Sequence, residues 1–263
     1  MTSPPATRRP EHVIDLRGKV ALVTGGSRGL GRAIATAYAA AGADVVIVSR
    51  KPDSVAAAAR EITIATGRGV IAVVAHVGRW EECDSLIAAV LDRLGHLDVL
   101  VNNAGIAPPY EHLHEAGEEL FDKTIGVNLK GPFRLSALAA DAMTRSGGGS
   151  IINISSVAAM RPTQYEVPYG AAKAGLHVVT TGIALGYGPS VRANTIMAGP
   201  FLTDISAGWD MAAFEEFAAR MPMRRGGQPE EIVGAALYFA SELSRFTTGA
   251  LLRVDGGQAL VRR

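Results

Sequence analysis

Tyr169 and Lys173 stand four residues apart in a chain of 263 residues, and Ser156 precedes Tyr169 by thirteen. On a helix, that spacing puts a phenol and an ammonium on one face, one above the other. A free tyrosine titrates at about 10. A nearby ammonium favours the phenolate and lowers that value, toward the range where general acid–base catalysis is efficient. Pro168, just before Tyr169, suits the first turn of such a helix. Tyr165 lacks this chemistry, because the residue four positions on is Tyr169 rather than a lysine. Taken alone the pair also reads as a surface pair on a helix, so its weight depends on the rest of the chain.

A second cluster lies near the amino end. Lys19 to Thr24 is a short apolar run that reads as a buried parallel strand. It enters Gly25-Gly26-Ser27-Arg28-Gly29-Leu30-Gly31, and an alanine-rich helix former follows from Arg32 to Gly42. Strand, glycine loop and helix together suit a pyrophosphate: the glycines admit close backbone approach, and the helix start offers free N–H groups and a positive dipole end. The spacing is Thr-Gly-x-x-x-Gly-x-Gly. The next strand, Asp44 to Val48, ends in Ser49-Arg50-Lys51. An acid at that end takes the ribose 2′-hydroxyl of NAD, whereas a base accommodates the 2′-phosphate of NADP. No acid is present, and Arg28 with Arg50 could clamp a phosphate. The expected cofactor is NADP(H), with NAD(H) as the alternative; Arg50 and Lys51 as plain solvated charges is the bland reading.

The elements that must position these groups alternate along the chain. Further strands are expected at Val70–Ala75, Leu97–Val101, Ser150–Ile154, Val191–Ile196 and Leu251–Val254, about seven in all. Helices are expected at Trp80–Leu94, over roughly Glu118–Arg145 with a kink at Gly131-Pro132, and from Tyr169 to near Gly186–Pro189. Alternating βα units imply an α/β, Rossmann-type, doubly wound parallel sheet with helices on both faces. Ligands bind at the carboxyl ends of such strands, where every motif above falls. One domain is expected over 16–263, after a mobile tail of 1–15 that begins Met1 to His12.

From about Gly18 to Gly257 the chain resembles the short-chain dehydrogenase/reductase family in its single-domain form. Thr24 to Gly31 is similar to the family's cofactor loop, and Asn102-Asn103-Ala104-Gly105 to its sheet-steadying motif near the adenosine. Asn128, Ser156, Tyr169 and Lys173 match its catalytic set, and Val254 to Gly257 its last strand and exit. The resemblance implies hydride transfer between a nicotinamide and a carbonyl or alcohol carbon. Tyr169 would exchange the proton, Lys173 would lower its pKa and hold the nicotinamide ribose, Ser156 would hydrogen-bond the substrate oxygen, and Asn128 would hold a water linking Lys173 to solvent. Ser155 is the rival of Ser156. The cofactor residues expected are Gly25, Ser27, Arg28, Gly29, Leu30, Gly31, Ser49, Arg50, Val77, Asn103, Ala104, Gly105, Tyr169, Lys173, Gly199 and Thr203. A dimer or tetramer is implied, through the long helices and the last strand.

The chain departs from this pattern in places. Where the family has Asp-Val after the third strand, with the Asp on adenine, this chain has His76-Val77; His76 could make that contact through only one tautomer. After the sixth strand the family shows Pro-Gly, and here Ala198-Gly199-Pro200 stands. No Lys or Arg lies between Lys173 and Arg192, which weakens a carrier-protein substrate. Pro108, Pro109, Tyr110, Val157, Met160 and Tyr165 are candidate pocket walls, with a lid over about 200–223 that contains Trp209, Met211 and Phe214. That set favours a hydrophobic or mixed carbonyl over a free sugar, unless these residues simply pack. A 3-oxoacyl reductase, a sugar or polyol dehydrogenase and a non-catalytic dinucleotide-binding regulator remain open.

Composition narrows the classes. Lys and Arg total 26 against 25 Asp and Glu, which argues against nucleic-acid binding as the main role. The single cysteine, Cys83, forms no internal disulfide and points to a reducing compartment, the cytoplasm. No apolar run reaches the ~18 residues of a membrane span. No metal cluster is expected: His112 and His114 are two apart on a loop.

Overall fold

The computed structural model describes residues 14–261. Seven strands form one parallel sheet: β1 (Val20–Thr24), β2 (Asp44–Ser49), β3 (Val70–Val74), β4 (Val99–Asn102), β5 (Gly149–Ser156), β6 (Val191–Ala198) and β7 (Leu251–Val254). Their order across the sheet is β3-β2-β1-β4-β5-β6-β7, every pairing parallel. Side chains alternate across a strand, and β1 shows the consequence: Val20 and Leu22 enter one core, Ala21 and Val23 the other. Both faces are therefore roofed by helices. One face takes α1 (Gly29–Ala40), α2 (Pro52–Thr66) and, late in the chain, α8 (Val233–Ala240). The opposite face takes α3 (Trp80–Leu94), α5 (Gly131–Arg145) and α6 (Val167–Tyr187). Two further helices are α4 (Glu118–Ile125) and α7 (Met211–Ala219), the latter placing Phe217 on the cavity at the strand ends. Most of the expected tail, Met1–Val13, lies outside the described residues. Within the expected tail, Ile14 packs against the core, and Leu16, the first residue of the expected domain, is buried in it.

The single kinked helix expected over Glu118–Arg145 is instead two helices joined by a π-helical segment, Gly126–Lys130. The break precedes Gly131-Pro132 because a proline acts backwards along a helix. Pro132 has no N–H to return to the Asn128 carbonyl four residues earlier, and its ring crowds that carbonyl. The widened turn accommodates this, and it lands on Asn128. Gly131 is needed for a separate reason: a Cβ there would collide with the Val77 carbonyl.

A buried polar chain ties the sheet to two of these helices. Asn102 Nδ2 donates to Ser136 Oγ at 2.9 Å and to Asn153 Oδ1 at 2.8 Å. Asn153 Nδ2 donates to Thr180 Oγ1 at 2.8 Å, and Thr180 pairs with Thr195 at 2.8 Å. All five side chains are buried, so the chain joins β4, α5, β5, α6 and β6 with no water competing. An unpaired buried polar group costs roughly 1–3 kcal/mol. Asn153→Ala removes two of these buried hydrogen bonds and leaves a cavity, although Asn102 keeps Ser136 and Thr180 keeps Thr195, and is expected to lower unfolding free energy by about 2–4 kcal/mol. Urea denaturation measures this directly; a loss below about 0.5 kcal/mol would show that the chain does not hold the sheet to its helices.

Candidate active site

The site begins where the strand order reverses, between β1 and β4, as expected for this topology. Thr24, the last residue of β1, accepts on Oγ1 from the N–H groups of Asn103 (3.0 Å) and Ala104 (3.1 Å). Asn103 returns the link through Nδ2 to the carbonyls of Thr24 (2.9 Å) and Gly25 (3.2 Å). The glycine loop is thereby stapled to the exit of β4. Gly25 has φ of +65°, and a Cβ on it would come within 2.9 Å of Ala104. Helix α1 then starts inside the loop, at Gly29, three residues earlier than the sequence suggested. Arg28 at its N-cap makes no side-chain cap, and the first turn holds no acid. Open N–H groups at a helix start suit an anion such as a pyrophosphate.

A cavity of about 910 Å³ runs from this loop across the carboxyl ends of the strands. Gly25, Ser27, Arg28, Gly29, Leu30, Ser49, Arg50, Val77, Asn103, Ala104, Gly105, Gly199 and Thr203 all line it, together with Ser156, Tyr169 and Lys173. Gly31 does not. It is buried, and a Cβ there would meet the Gly25 carbonyl and the Asn103 amide, so its task is helix-to-loop packing. Arg28 and Arg50 are exposed at the cavity edge, and among the described residues neither is in an ion pair with a carboxylate. The loop, the uncapped helix start and these two guanidiniums fit a dinucleotide carrying a ribose phosphate.

The chemical end is set by β5 and α6. Successive residues of a strand face opposite ways, so the two rival serines have different partners, although both touch the cavity. Ser155 is buried, with Oγ 2.7 Å from His177 Nε2 and 3.3 Å from the Lys173 carbonyl. Ser156 takes the Ala158 N–H on Oγ at 3.1 Å and hydrogen-bonds Tyr169. Lys173 is only 3% exposed. Its Nζ donates to the Ile154 carbonyl at 2.8 Å and lies 5.6 Å from the Tyr169 ring centroid. Burial lowers Lys173 to about 8. Burial also pushes Tyr169 up to about 12, against the pull of the Ser156 hydrogen bond, with Glu166 adding to the rise. Desolvation thus opposes the lowering expected from Lys173, and the phenol stands above its free value.

Asn128 lies outside the cavity wall and is fully buried. Its Nδ2 donates to the carbonyls of Ile106 (2.8 Å) and Thr124 (2.9 Å), and its Oδ1 accepts the Ile106 N–H at 3.3 Å. Gly105 lies between: a Cβ on it would be 2.9 Å from Asn128 Oδ1 and 3.6 Å from Lys173 Nζ.

The expected pocket walls are largely misplaced. Val157 lines the cavity, but Met160 and Tyr165 are exposed outside it. Pro108, Pro109 and Tyr110 are also off the wall, and the Tyr110 hydroxyl instead bonds the Gln164 carbonyl and the Val167 N–H at the start of α6. In the covering segment Trp209 and Phe217 face the cavity, while Met211 does not and Phe214 packs behind Trp209 at 5.1 Å between ring centroids. Arg161, Glu166, Arg220 and Gln258 supply a polar wall that the sequence did not reveal. Cys83 is buried, its thiol donating to the Val77 carbonyl at 3.1 Å and pushed up to about 11 mainly by burial. Among the described residues no three metal-binding side chains cluster, and no helix is long and apolar enough to cross a membrane.

Burying an ammonium costs stability that a neutral group would not. Lys173 falls from 10.5 to about 8 on folding, so the folded chain binds fewer protons between those values. Stability therefore gains as pH rises through that window, and the full cost is present below pH 8. Lys173→Met is expected to stabilise the protein at pH 7 by about 2 kcal/mol, with the advantage shrinking by pH 10. Denaturant titrations at the two pH values measure the difference; an advantage that does not depend on pH would show that the ammonium is not the source.

A family model described as enoyl-(acyl carrier protein) reductase matches residues 25–259. An L-rhamnose 1-dehydrogenase (NAD(P)(+)) from a Sphingomonas species is 37% identical over 247 residues, covering 92% of this chain and 96% of that protein. Among solved structures, an NADPH-dependent 3-quinuclidinone reductase from Rhodotorula rubra superposes with a TM-score of 0.87 at 30% identity, covering 98% of this chain and all of that one. A structure described as an NAD(P)-dependent gluconate 5-dehydrogenase from Beutenbergia cavernae, with NADP bound at low occupancy, gives 0.88 at 33% identity over 94% of this chain and 99% of that one. With its 3-2-1-4-5-6-7 sheet and its Ser, Tyr and Lys on one cavity, the chain belongs to the short-chain dehydrogenase/reductase family and is an NAD(P)-dependent oxidoreductase.

Proposed function

We propose that the protein is an NADP(H)-dependent carbonyl reductase or secondary-alcohol dehydrogenase. The observation that carries this reading is the single cavity shared by Arg28 and Arg50 at one end and by Ser156, Tyr169 and Lys173 at the other. When bound, the dinucleotide supplies or accepts the hydride at its nicotinamide. The chain's own groups handle the oxygen and the proton. Ser156, fixed by the Ala158 N–H, hydrogen-bonds the substrate oxygen as charge develops on it. Tyr169 gives that oxygen a proton in reduction, or takes one in oxidation. Lys173, anchored by the Ile154 carbonyl, places its ammonium beside the phenol and toward the nicotinamide ribose. Asn128 pins the Ile106 backbone beside Gly105 and Lys173, and serves the water path from Lys173 to solvent that the resemblance implies. Arg28 and Arg50 hold the 2′-phosphate.

The substrate wall is mixed. Val157, Trp209 and Phe217 are apolar or aromatic, whereas Arg161, Glu166, Arg220 and Gln258 are polar. These polar groups favour a second reading, a hydroxylated sugar-derived substrate, in line with the relatives named for rhamnose and gluconate. The covering segment around 200–223 serves as the lid. Exposed Val178 and Leu185 on α6, and Leu251 and Leu252 on β7, suit a homo-oligomer, a dimer or tetramer. A cytoplasmic setting fits the single, buried cysteine.

Tyr169→Phe is expected to lower kcat by about 10³-fold or more while NADPH binding stays within about threefold. Steady-state rates with a panel of carbonyls, beside fluorescence titration, test this; retained turnover would refute the assignment, and a non-catalytic regulator would show binding and no turnover before mutation. Arg50→Ala is expected to weaken NADPH binding by about tenfold and NADH binding by under about threefold. Equal losses for the two would remove the 2′-phosphate contact.

A further inference from the structure

We propose that Arg161 is a specificity-determining residue that acts through the Val261 carbonyl. It latches the turn 258–261 beside Ser156 as a wall of the substrate space, and so limits the length of the carbonyl compound admitted. The inference rests on the carbonyl-reductase reading above and concerns how that site selects its substrate.

Two strand exits meet at this wall. After β5 the chain makes a 3₁₀ turn, Val157–Ala159, with Ser156 at its N-cap. The Arg161 N–H donates to the Val157 carbonyl at 2.9 Å, so Arg161 leaves from the turn that fixes the serine. After β7, Asp255 organises a second turn, Gln258–Leu260. Its Oδ1 takes the Gly257 N–H and its Oδ2 the Ala259 N–H, both at 2.9 Å. The covering segment backs this turn. Gly257 has φ of +82°, and a Cβ on it would collide with the Pro222 ring. The Met223 N–H donates to the Gly256 carbonyl at 3.2 Å. Ala259 is buried with Val157 and Met197, which seats the turn directly against the residue after Ser156. Val157, Arg161, Gln258 and Val261 all line the cavity.

The near end of the turn is therefore held by Asp255, by Pro222 and by the burial of Ala259. The far end closes with the Val261 N–H on the Gln258 carbonyl at 3.1 Å, and the Val261 carbonyl accepts Arg161 Nη1 at 2.6 Å. A bond from a charged donor is stronger than a neutral one, and this one joins the β5 side of the cavity to the β7 side. Without it the far end is tethered only from Asp255, and the wall beyond Ser156 yields to a longer substrate. Val157, Trp209 and Phe217 offer such a chain apolar surface. One methylene admitted to an apolar pocket is worth about tenfold or more in kcat/KM. An arginine that instead touched the substrate would act whether or not Val261 were present, and that difference separates the two roles.

The test compares kcat/KM for a five-carbon and an eleven-carbon methyl ketone, with NADPH affinity by fluorescence as the check on folding. Arg161→Ala is expected to raise the long-to-short ratio by about tenfold, mainly through the KM of the long ketone. Arg161→Lys keeps a donor for the carbonyl and is expected to stay within about threefold of the wild-type ratio. A chain ending at Leu260 lacks the acceptor and is expected to reproduce the Arg161→Ala ratio, whereas one ending at Val261 keeps the wild-type ratio. Arg161→Ala added to the chain ending at Leu260 is expected to move the ratio by less than about twofold more, since both changes remove one contact. A ratio that neither Arg161→Ala nor the shorter chain moves would overturn the latch, as would a further change of about tenfold from Arg161→Ala in the chain ending at Leu260. Either result leaves the reductase reading intact. A wild type that binds NADPH and reduces neither ketone would overturn that reading, and the latch with it.

Discussion

An ammonium held out of water beside a phenol is the constraint around which this structure is arranged. Lys173 retains 3% exposure and a single fixed partner, the Ile154 carbonyl at 2.8 Å. A buried charge is tolerated only where its surroundings are rigid and polar groups are aimed at it. The rigidity comes from the sheet and from the amide–hydroxyl chain through Asn102, Asn153 and Thr180, which runs beneath the site and fixes β5 against α6. The room comes from Gly105, the residue at which a side chain would push between Asn128 and Lys173. Each part serves to keep one cation where desolvation makes it strong, and the cation itself subtracts from stability.

The same logic of close approach governs the nucleotide end. Gly25 passes the exit of β4 too closely to carry a Cβ, Gly31 lets α1 settle onto the loop, and Gly199 lets β6 end against Asp255. These glycines draw the backbone amides of the loop, the start of α1 and the β4 exit around a single volume. Thr24 and Asn103 then lock that arrangement with four hydrogen bonds between them and their neighbours. A phosphate-bearing ligand would meet backbone dipoles that cannot reorient, which is what makes such a loop selective for anions.

Features written in local periodicity were legible from the sequence. The i, i+4 pairing of Tyr169 with Lys173 and the glycine loop follow from short-range geometry, whereas the choice of Ser156 over Ser155 came from the resemblance. The break at Gly126–Lys130 was displaced from its expected position because proline's missing donor is felt a full turn upstream. The pocket walls were misassigned for a different reason. Whether Met160 or Arg161 faces the cavity depends on how one 3₁₀ turn leaves β5 and where the end of the chain crosses it, with Arg161 donating to the Val261 carbonyl at 2.6 Å. No pattern within a ten-residue window encodes a contact made across a hundred residues. Likewise the resemblance marks His76 as a departure, but its tautomer is set by the turn that brings Gly78 back to it.

The opposed shifts of Tyr169 and Lys173 bear on how the site is poised. A phenol at about 12 is protonated at neutral pH, so the protein presents a proton donor to the substrate oxygen before any reaction starts. Lys173, at about 8, is close to half-charged just above neutrality and can pass a proton in either direction with little driving force. Reduction uses the pair as it stands: Tyr169 donates, and Lys173 stabilises the phenolate left behind. Oxidation must first remove the phenolic proton, which requires enough positive charge near the ring to overcome the desolvation that raised its pKa. Rising pH eases that removal and at the same time discharges Lys173. The two effects oppose each other, so base alone does not convert the donor into an acceptor.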